Sequence, residues 1–230
     1  MIVGNGMLAQ ACQPAFGADP AVTLFASGVS NSRETRPEAF ARESALLDES
    51  LDRGGLLVYF STCSIADYEL STSPYVRHKL AMEKRIAERA ERMAIFRLPQ
   101  VVGHTPNPHT LTNYLHHQID SGAPFQVWSH ARRNLIDVAD VAVIARRLVD
   151  EGAVLDRITN IACPFSVPVI ELVRSFEAHL GRRANFTVVD AGASYPIDVT
   201  AAMAAAGRAG VAIGPDYIDQ LIRKYYDHRS

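Results

Sequence analysis

Five consecutive residues, Leu56-Leu57-Val58-Tyr59-Phe60, constrain this chain more than any other segment. No polar side chain interrupts them, Gly54-Gly55 precede them and Ser61-Thr62 follow them. A half-buried strand alternates apolar with polar residues. A short continuous apolar run suits a strand covered on both faces, as in a parallel sheet between helical layers. The rest of the chain repeats this theme. Extended segments are expected at Met1 to Val3, Ala21 to Ala26, Ala94 to Leu98, Asn134 to Val138 and Ile158 to Ala162. Between them the spacing predicts helices over Pro37 to Leu51, Pro74 to Arg92, Thr110 to Ser121, Val138 to Glu151 and Val167 to Leu180. Ser73-Pro74 supplies an N-cap with proline at the first helical position. Glu88 and Arg92 are expected to pair at i,i+4, and Leu80, Met82 and Ile86 to face the core. The tail, Ala201 to Ser230, reads as two short helices joined near Gly210 to Pro215. Alternating strands and helices predict an α/β fold, a parallel sheet with helices on both faces. Residues 1–150 form its main body, and 151–230 a strand–helix unit and small helical lobe, interleaved with it and not independent.

The charge balance removes several function classes. Lys+Arg 23 against Asp+Glu 25 gives a formal net charge of -2. Nothing in it favours a nucleic acid or an anionic membrane as partner. Cys12, Cys63 and Cys163 are too few and too scattered for a disulfide framework or a zinc site, and read as reduced thiols. No basic segment followed by an apolar core opens the chain, so the expected location is cytoplasmic. The uncharged stretch Ile158 to Ile170 carries Pro164 and Pro168 and is too short to span a bilayer.

Three features carry chemistry. Gly4-x-Gly6-x-x-Ala9, between a strand stub and a helix start, permits a tight turn and lets a pyrophosphate approach backbone N–H groups at the helix N-terminus. An ordinary strand–turn–helix junction has the same pattern. Tyr75-Val-Arg-His-Lys79 sets a phenol and an ammonium on one helix face. A nearby cation stabilises phenolate and is expected to lower the phenol from about 10 toward neutrality, ready to exchange a proton with a carbinol or carbonyl oxygen. A surface Tyr and Lys on an amphipathic helix is the alternative. The hydroxyls of Ser61, Thr62 and Ser64 stand at the end of the buried run, where open α/β sheets bind ligands. His116 and Asp120 at i,i+4 find no third ligand with metal spacing, so no metal is expected. Asp137 and Asp140 read as caps or loop anchors, and Cys63 as a packing residue.

Together these stations resemble the extended short-chain dehydrogenase/reductase family, in its branch of nucleotide-sugar epimerases, dehydratases and reductases. The matching segments are the Gly4/Gly6 turn, Ala26-Ser27-Gly28-Val29-Ser30-Asn31, Tyr59-Phe60-Ser61-Thr62, Pro74-Tyr75 to Lys79, Arg97-Leu98-Pro99 and Arg133 to Ala142. They run from residue 1 to about 180. The resemblance implies a Rossmann-like fold and an NAD(P)-dependent epimerase or 4-ketoreductase acting on a nucleotide-diphosphate sugar. It implies NAD or NADP as cofactor and a homodimer packed through the Tyr75 helix, with Val76, Leu80 and Ala87 on the contact face. Thr62 would polarise the substrate oxygen, Tyr75 would be the acid/base, and Lys79 would hold the nicotinamide ribose. Gly4, Gly6, Met7, Leu8, Ser27, Gly28, Ser61 and Pro99 would join Tyr75 and Lys79 around the cofactor. Asn31, His104, Asn113 and Arg133 would meet the substrate, with Trp128 and Arg132 as further candidates. The branch's dehydratases carry an Asp-Glu pair after the hydroxyl residue. Cys63 and Ser64 stand there, so a dehydratase is not expected.

The chain departs from this family in one place. Tyr75 follows Gly6 by only 69 positions, too few for a complete dinucleotide half at about 30 residues per βαβ unit. The segment at Thr23 resembles the family's fourth strand rather than its second, so two strand–helix units are expected to be missing. An acid is expected about 20 residues past the glycine turn, to hold a ribose 2′-OH, yet Leu24-Phe25-Ala26 stand there. Asp19 reads as a turn residue, and Arg33 and Arg36 as solvated or phosphate-facing. Two readings follow: a trimmed oxidoreductase that still binds NAD(P), or a cofactor-independent sugar-nucleotide binding protein or proton-transfer isomerase on the same fold.

Overall fold

The computed structural model describes residues 1–152 and 154–227. The end of the tail, 228–230, lies outside the described residues. In chain order the elements are β1 Ile2–Val3, α1 Met7–Phe16, β2 Val22–Phe25, α2 Pro37–Leu51, β3 Leu56–Thr62, α3 Pro74–Arg89, β4 Arg92–Leu98 and β5 Gln100–Val102. There follow α4 Leu111–Ser121, β6 Phe125–Trp128, β7 Arg132–Arg133, β8 Leu135–Asp137, α5 Val138–Glu151 and β9 Arg157–Asn160. Last come β10 Val167–Pro168, α6 Val169–Leu180, β11 Phe186–Val189, α7 Thr200–Arg208 and α8 Tyr217–Tyr226.

The central sheet is parallel throughout, in the order β1-β2-β3-β4-β9. Its two faces are read directly from the alternation along each strand. Leu24, Val58, Phe60 and Phe96 pack with Cys12 and Phe16 of α1 and with α5 and α7. Phe25, Tyr59 and Ile95 pack with Leu47 and Leu51 of α2 and with Met82 and Ile86 of α3. The sheet therefore has helices on both faces, as the buried run at Leu56 predicts, and its shortness fits a Rossmann-like fold reduced by two strand–helix units.

That reduction changes the chain path. The steps β1→β2→β3→β4 all move one way across the sheet, yet α1 lies on one face and α2 and α3 on the other. The first crossover thus has the opposite hand to the next two. Giving those two the near-universal right hand makes β1–α1–β2 an exception, one it shares with the step from β4 to β9, whose helix α5 packs on the same face as α1. A doubly wound chain normally travels outward from its first helix and returns; without the outer units, α1 feeds an inner strand from the wrong face.

A second core joins α4, α6 and α8 to β6, with Leu115, Ile119, Phe125, Val127, Phe176, Tyr217 and Leu221 buried together. Three small pairings frame it: β6 with β11, β5 with β8 and β7 with β10. Several local expectations hold. Ser73 Oγ accepts from Val76 N at 3.1 Å, and Asp137 Oδ1 accepts from Ala139 N at 2.8 Å. Others are corrected. Helix α3 ends at Arg89, so Glu88 faces Lys84 at 3.7 Å while Arg92 opens β4. Leu80 is 41% exposed, unlike buried Met82 and Ile86. Val76 is buried against Val29 and Tyr75, so it does not share an exposed face with Leu80. No helix among the described residues is long and apolar enough to cross a membrane.

Candidate active site

Ligand clefts in open α/β sheets lie beyond the carboxyl ends of strands whose following helices diverge. Here that divergence falls between β1, which leads into α1, and β2, which leads toward α2. A cleft of about 330 Å³ opens there, at the low end of the roughly 300–1,000 Å³ typical of small-molecule sites. Gly6, Met7 and Leu8 from the start of α1, Gly28, Ser61, Thr62, Tyr75, Lys79 and Pro99, and Thr105, Asn107 and His109 all line it.

The glycines of the first turn do different things. Gly4 has φ +125°, and a Cβ there would lie 2.6 Å from Ala26 O, so its role is to let β1 close against the end of β2. Gly6 is the N-cap of α1 without a side-chain cap, and a Cβ there would meet no atom within 4 Å. The free N–H groups of α1 thus face the cleft, where a helix N-terminus favours an anion.

Tyr75 and Lys79 stand one turn apart on α3, both buried, and Thr62 at the end of β3 lines the same cleft, its Oγ1 accepting from Ser64 N at 3.1 Å. The sequence expectation for the phenol is reversed. Burial pushes Tyr75 up to about 12, against a lowering by the Thr62 hydroxyl, and the charge of Glu43 adds to the rise. The Lys79 ammonium is already paired with a carboxylate. Lys79 Nζ donates to Glu43 Oε1 at 2.9 Å and to Tyr59 OH at 3.1 Å, and lies 6.0 Å from the Tyr75 ring centre. Glu43, wholly buried on α2, also accepts from Tyr59 OH and Val29 N at 2.6 Å each, and His78 Nε2 lies 3.0 Å from its Oε2. Burial works to raise this carboxyl, but His78, Lys79, Tyr59 and Val29 together hold it near 2. Burial lowers Lys79, against the pull of Glu43. Gly28 makes the pair fit: a Cβ there would lie 2.6 Å from Lys79 Nζ and 3.0 Å from Glu43 Oε1.

Sequence reasoning missed Glu43. The signal was present, since Glu43 precedes buried Leu47 by one turn and Leu51 by two, and so stands on the inward stripe of α2. Ser61 is engaged elsewhere, donating to Glu83 Oε1 at 2.6 Å, and Glu83 in turn binds Arg97 through both oxygens.

The remaining candidates scatter. Ser27 adjoins the cleft and accepts from exposed Arg42 on its Oγ and O. Asn31 Oδ1 closes a turn onto Arg33 N at 3.0 Å, while its neighbours Ser30 and Ser32 line the cleft. His104 packs edge-on against Tyr225. Asn113 braces the 105–107 loop, donating to Thr105 O and Asn107 O, and accepts from Tyr226 OH. Arg133 lines a smaller depression with Ser64, Pro99, Gln100 and Tyr195, three of which it shares with the main cleft. Trp128 is 41% exposed on β6, and Asp19 is held by Arg146 at 2.8 Å. Arg36 pairs with Glu34. Cys63 is buried and burial pushes it up to about 12, as befits a packing thiol. No group of three potential metal ligands occurs among the described residues.

A model of the NAD dependent epimerase/dehydratase family matches residues 8–162. No curated protein matches the chain by sequence. Among solved structures it is similar to RMD from Pseudomonas aeruginosa complexed with NADPH, at 14% identity and TM-score 0.71, over 96% of this chain and 95% of that one. It is similar to UDP-glucuronic acid 4-epimerase from Bacillus cereus in complex with UDP-glucuronic acid and NAD, at 16% identity and TM-score 0.66, over 94% and 79%. The UDP-glucose 4-epimerase of Thermus thermophilus in complex with NAD stands at 15% identity and TM-score 0.67, over 97% and 83%. At these identities the likeness is one of fold.

Proposed function

The chain belongs to the NAD dependent epimerase/dehydratase family, and from that premise we propose that it is an NAD(P)-dependent epimerase or 4-ketoreductase of a nucleotide-diphosphate sugar. The observation that carries this reading is that Thr62 and Tyr75 line the same cleft as the uncapped N-terminus of α1. Thr62 would hold the reacting sugar oxygen, and Tyr75 would exchange a proton with it. Gly6, Met7, Leu8, Ser61 and Pro99 would hold the nicotinamide end of the cofactor, which supplies hydride chemistry when bound. The cleft suits that end. The adenosine end has no counterpart among the described residues, because β1 is the outer strand and no acid stands at the end of β2. Arg133 beside the cleft suits a sugar diphosphate, which a guanidinium binds bidentately. Cys63 and Ser64 after Thr62 speak against a dehydratase.

A second reading is favoured by the Lys79–Glu43 pair, which occupies the ammonium that would hold a nicotinamide ribose. In it the chain binds a sugar nucleotide and uses no nicotinamide. Calorimetric titration with NADH and NADPH separates the two. The first reading expects heat and a raised unfolding temperature with at least one of them, and neither effect with either would refute it. Tyr75→Phe is expected to lower turnover of a 4-keto nucleotide hexose by roughly 10²–10⁴-fold; unchanged turnover would remove the acid/base assignment.

A further inference from the structure

Glu43 has no role in the reading above, yet it is the carboxylate that faces both functional side chains of α3. It accepts from three separate places, Val29 N in the loop after β2, Tyr59 OH on β3 and Lys79 Nζ on α3, while His78 Nε2 lies 3.0 Å from its Oε2 without forming a hydrogen bond. A buried carboxylate held this way is a fixed negative charge. It has one consequence for Tyr75. A bare ammonium one turn away favours phenolate; an ammonium with a carboxylate 2.9 Å from it presents a dipole, and its pull on the phenol largely cancels. The other groups facing Tyr75 supply no cation. They are the Thr62 hydroxyl at the end of β3, the Cys63 thiol just after it, and the Tyr195 phenol from the segment after β11.

We propose that Glu43 is a positioning residue that makes this a proton-donating site: by holding Lys79 in a buried ion pair it keeps Tyr75 a neutral phenol, and the site therefore takes a carbonyl sugar rather than a hydroxyl sugar. This rests on Tyr75 as the acid/base. A site that begins by oxidising a hydroxyl needs a phenolate to receive its proton. A site that begins with a carbonyl needs a phenol to give one. In the second case the Tyr75 proton passes to the carbonyl oxygen as the carbonyl carbon takes a hydride from a reduced nicotinamide. The C=O becomes CH–OH, the nicotinamide is oxidised, and the phenolate regains its proton from water in the cleft. Of the two activities the family reading leaves open, this selects the ketoreductase. The substrate must then come from a reaction that creates a ketone on the sugar ring, such as an elimination of water or a prior oxidation.

The test is an alkaline titration of the ligand-free protein, following tyrosinate absorbance. Tyr75→Phe identifies the contribution of this one phenol among the eight tyrosines. Wild-type Tyr75 is expected to stay protonated to at least about pH 10, the ordinary phenol value. Glu43→Gln should lower its ionisation by at least about one pH unit, a tenfold change in proton affinity. The double variant Glu43→Gln/Lys79→Met removes both charges and should restore the wild-type titration, which loss of packing alone would not do. With NADPH and a 4-keto nucleotide hexose, the alkaline limb of the pH profile should move down by the same interval in Glu43→Gln. Ionisation of wild-type Tyr75 below about pH 9 overturns the proposal, and this outcome needs no variant of Glu43 to fold. An unchanged titration in a folded Glu43→Gln protein overturns it as well. If instead Tyr75→Phe keeps full turnover, the acid/base reading falls while the titration still reports on Glu43.

Discussion

At the scale of single residues, the Glu43–Lys79 pair governs stability as well as protonation. Taking two charges out of water is costly, and mutual attraction offsets it only while both are present. Lys79→Met is therefore expected to destabilise the fold by about 3–5 kcal/mol, because it leaves a carboxylate buried without its main cation. Glu43→Gln/Lys79→Met should cost much less than the sum of the single changes. Urea denaturation of the four proteins checks this, and additive effects would show that the two side chains do not act as a unit. The pair also sets an acid limit. Glu43 is held near 2 in the folded chain against an ordinary value of 4.5. A lowered carboxyl contributes stability above its unfolded value, and the contribution is lost as pH falls toward the folded one. Stability measured between about pH 5 and 2 should fall steeply in wild type, and less steeply in Glu43→Gln/Lys79→Met.

At the scale of elements, the first strand–turn–helix unit divides its work between two glycines that look alike in sequence. Gly4 has a φ that L side chains rarely adopt and no room for a Cβ, so Gly4→Ala is expected to destabilise by about 3 kcal/mol or more. Gly6→Ala meets no atom within 4 Å. It should leave the urea midpoint nearly unchanged while weakening NADH or NADPH in a calorimetric titration. Equal stability losses for both would refute this division. The same unit shows what could be read in advance. Long elements with one strong pattern were legible: the apolar run at Leu56, the capped helix at Pro74 and the helix from Val138 each appear where periodicity puts them. The short strands β6 and β11 were not, because four residues hold too few periods and the pairing partner lies about 60 positions away. Tyr75 and Lys79 were found because one helix turn brings them together. Glu43 was not, because its closeness to Lys79 depends on α2 and α3 packing side by side. Tertiary neighbours of this kind are invisible to local spacing, and here burial and Glu43 carry the Tyr75 phenol opposite to the direction expected from Lys79 alone.

At the scale of the molecule, the shortness of the chain is concentrated on one edge of the sheet. The strip that carries Thr62, Tyr75 and Lys79 and the second core are both present, and the cleft survives because α1 and α2 still leave for opposite faces. Among the described residues no strand stands on the outer side of β1, where a Rossmann-like sheet holds the adenosine of a dinucleotide. Discrimination between NAD and NADP resides in that half, in the acid that accepts the ribose 2′-OH or the arginine that meets a 2′-phosphate. Under the proposed oxidoreductase reading, the cofactor is gripped by its nicotinamide end alone. NADH and NADPH should then bind with affinities within about threefold of one another, a difference of less than about 1 kcal/mol. Reduced nicotinamide mononucleotide should bind nearly as well, and ADP-ribose should fail to compete. Competition titrations with these four compounds decide the matter. A preference of tenfold or more for one dinucleotide, or displacement by ADP-ribose, would mean that surface beyond β1 holds the adenosine after all. The arginine to test first would then be Arg42, which is exposed and anchored on Ser27 at the end of β2.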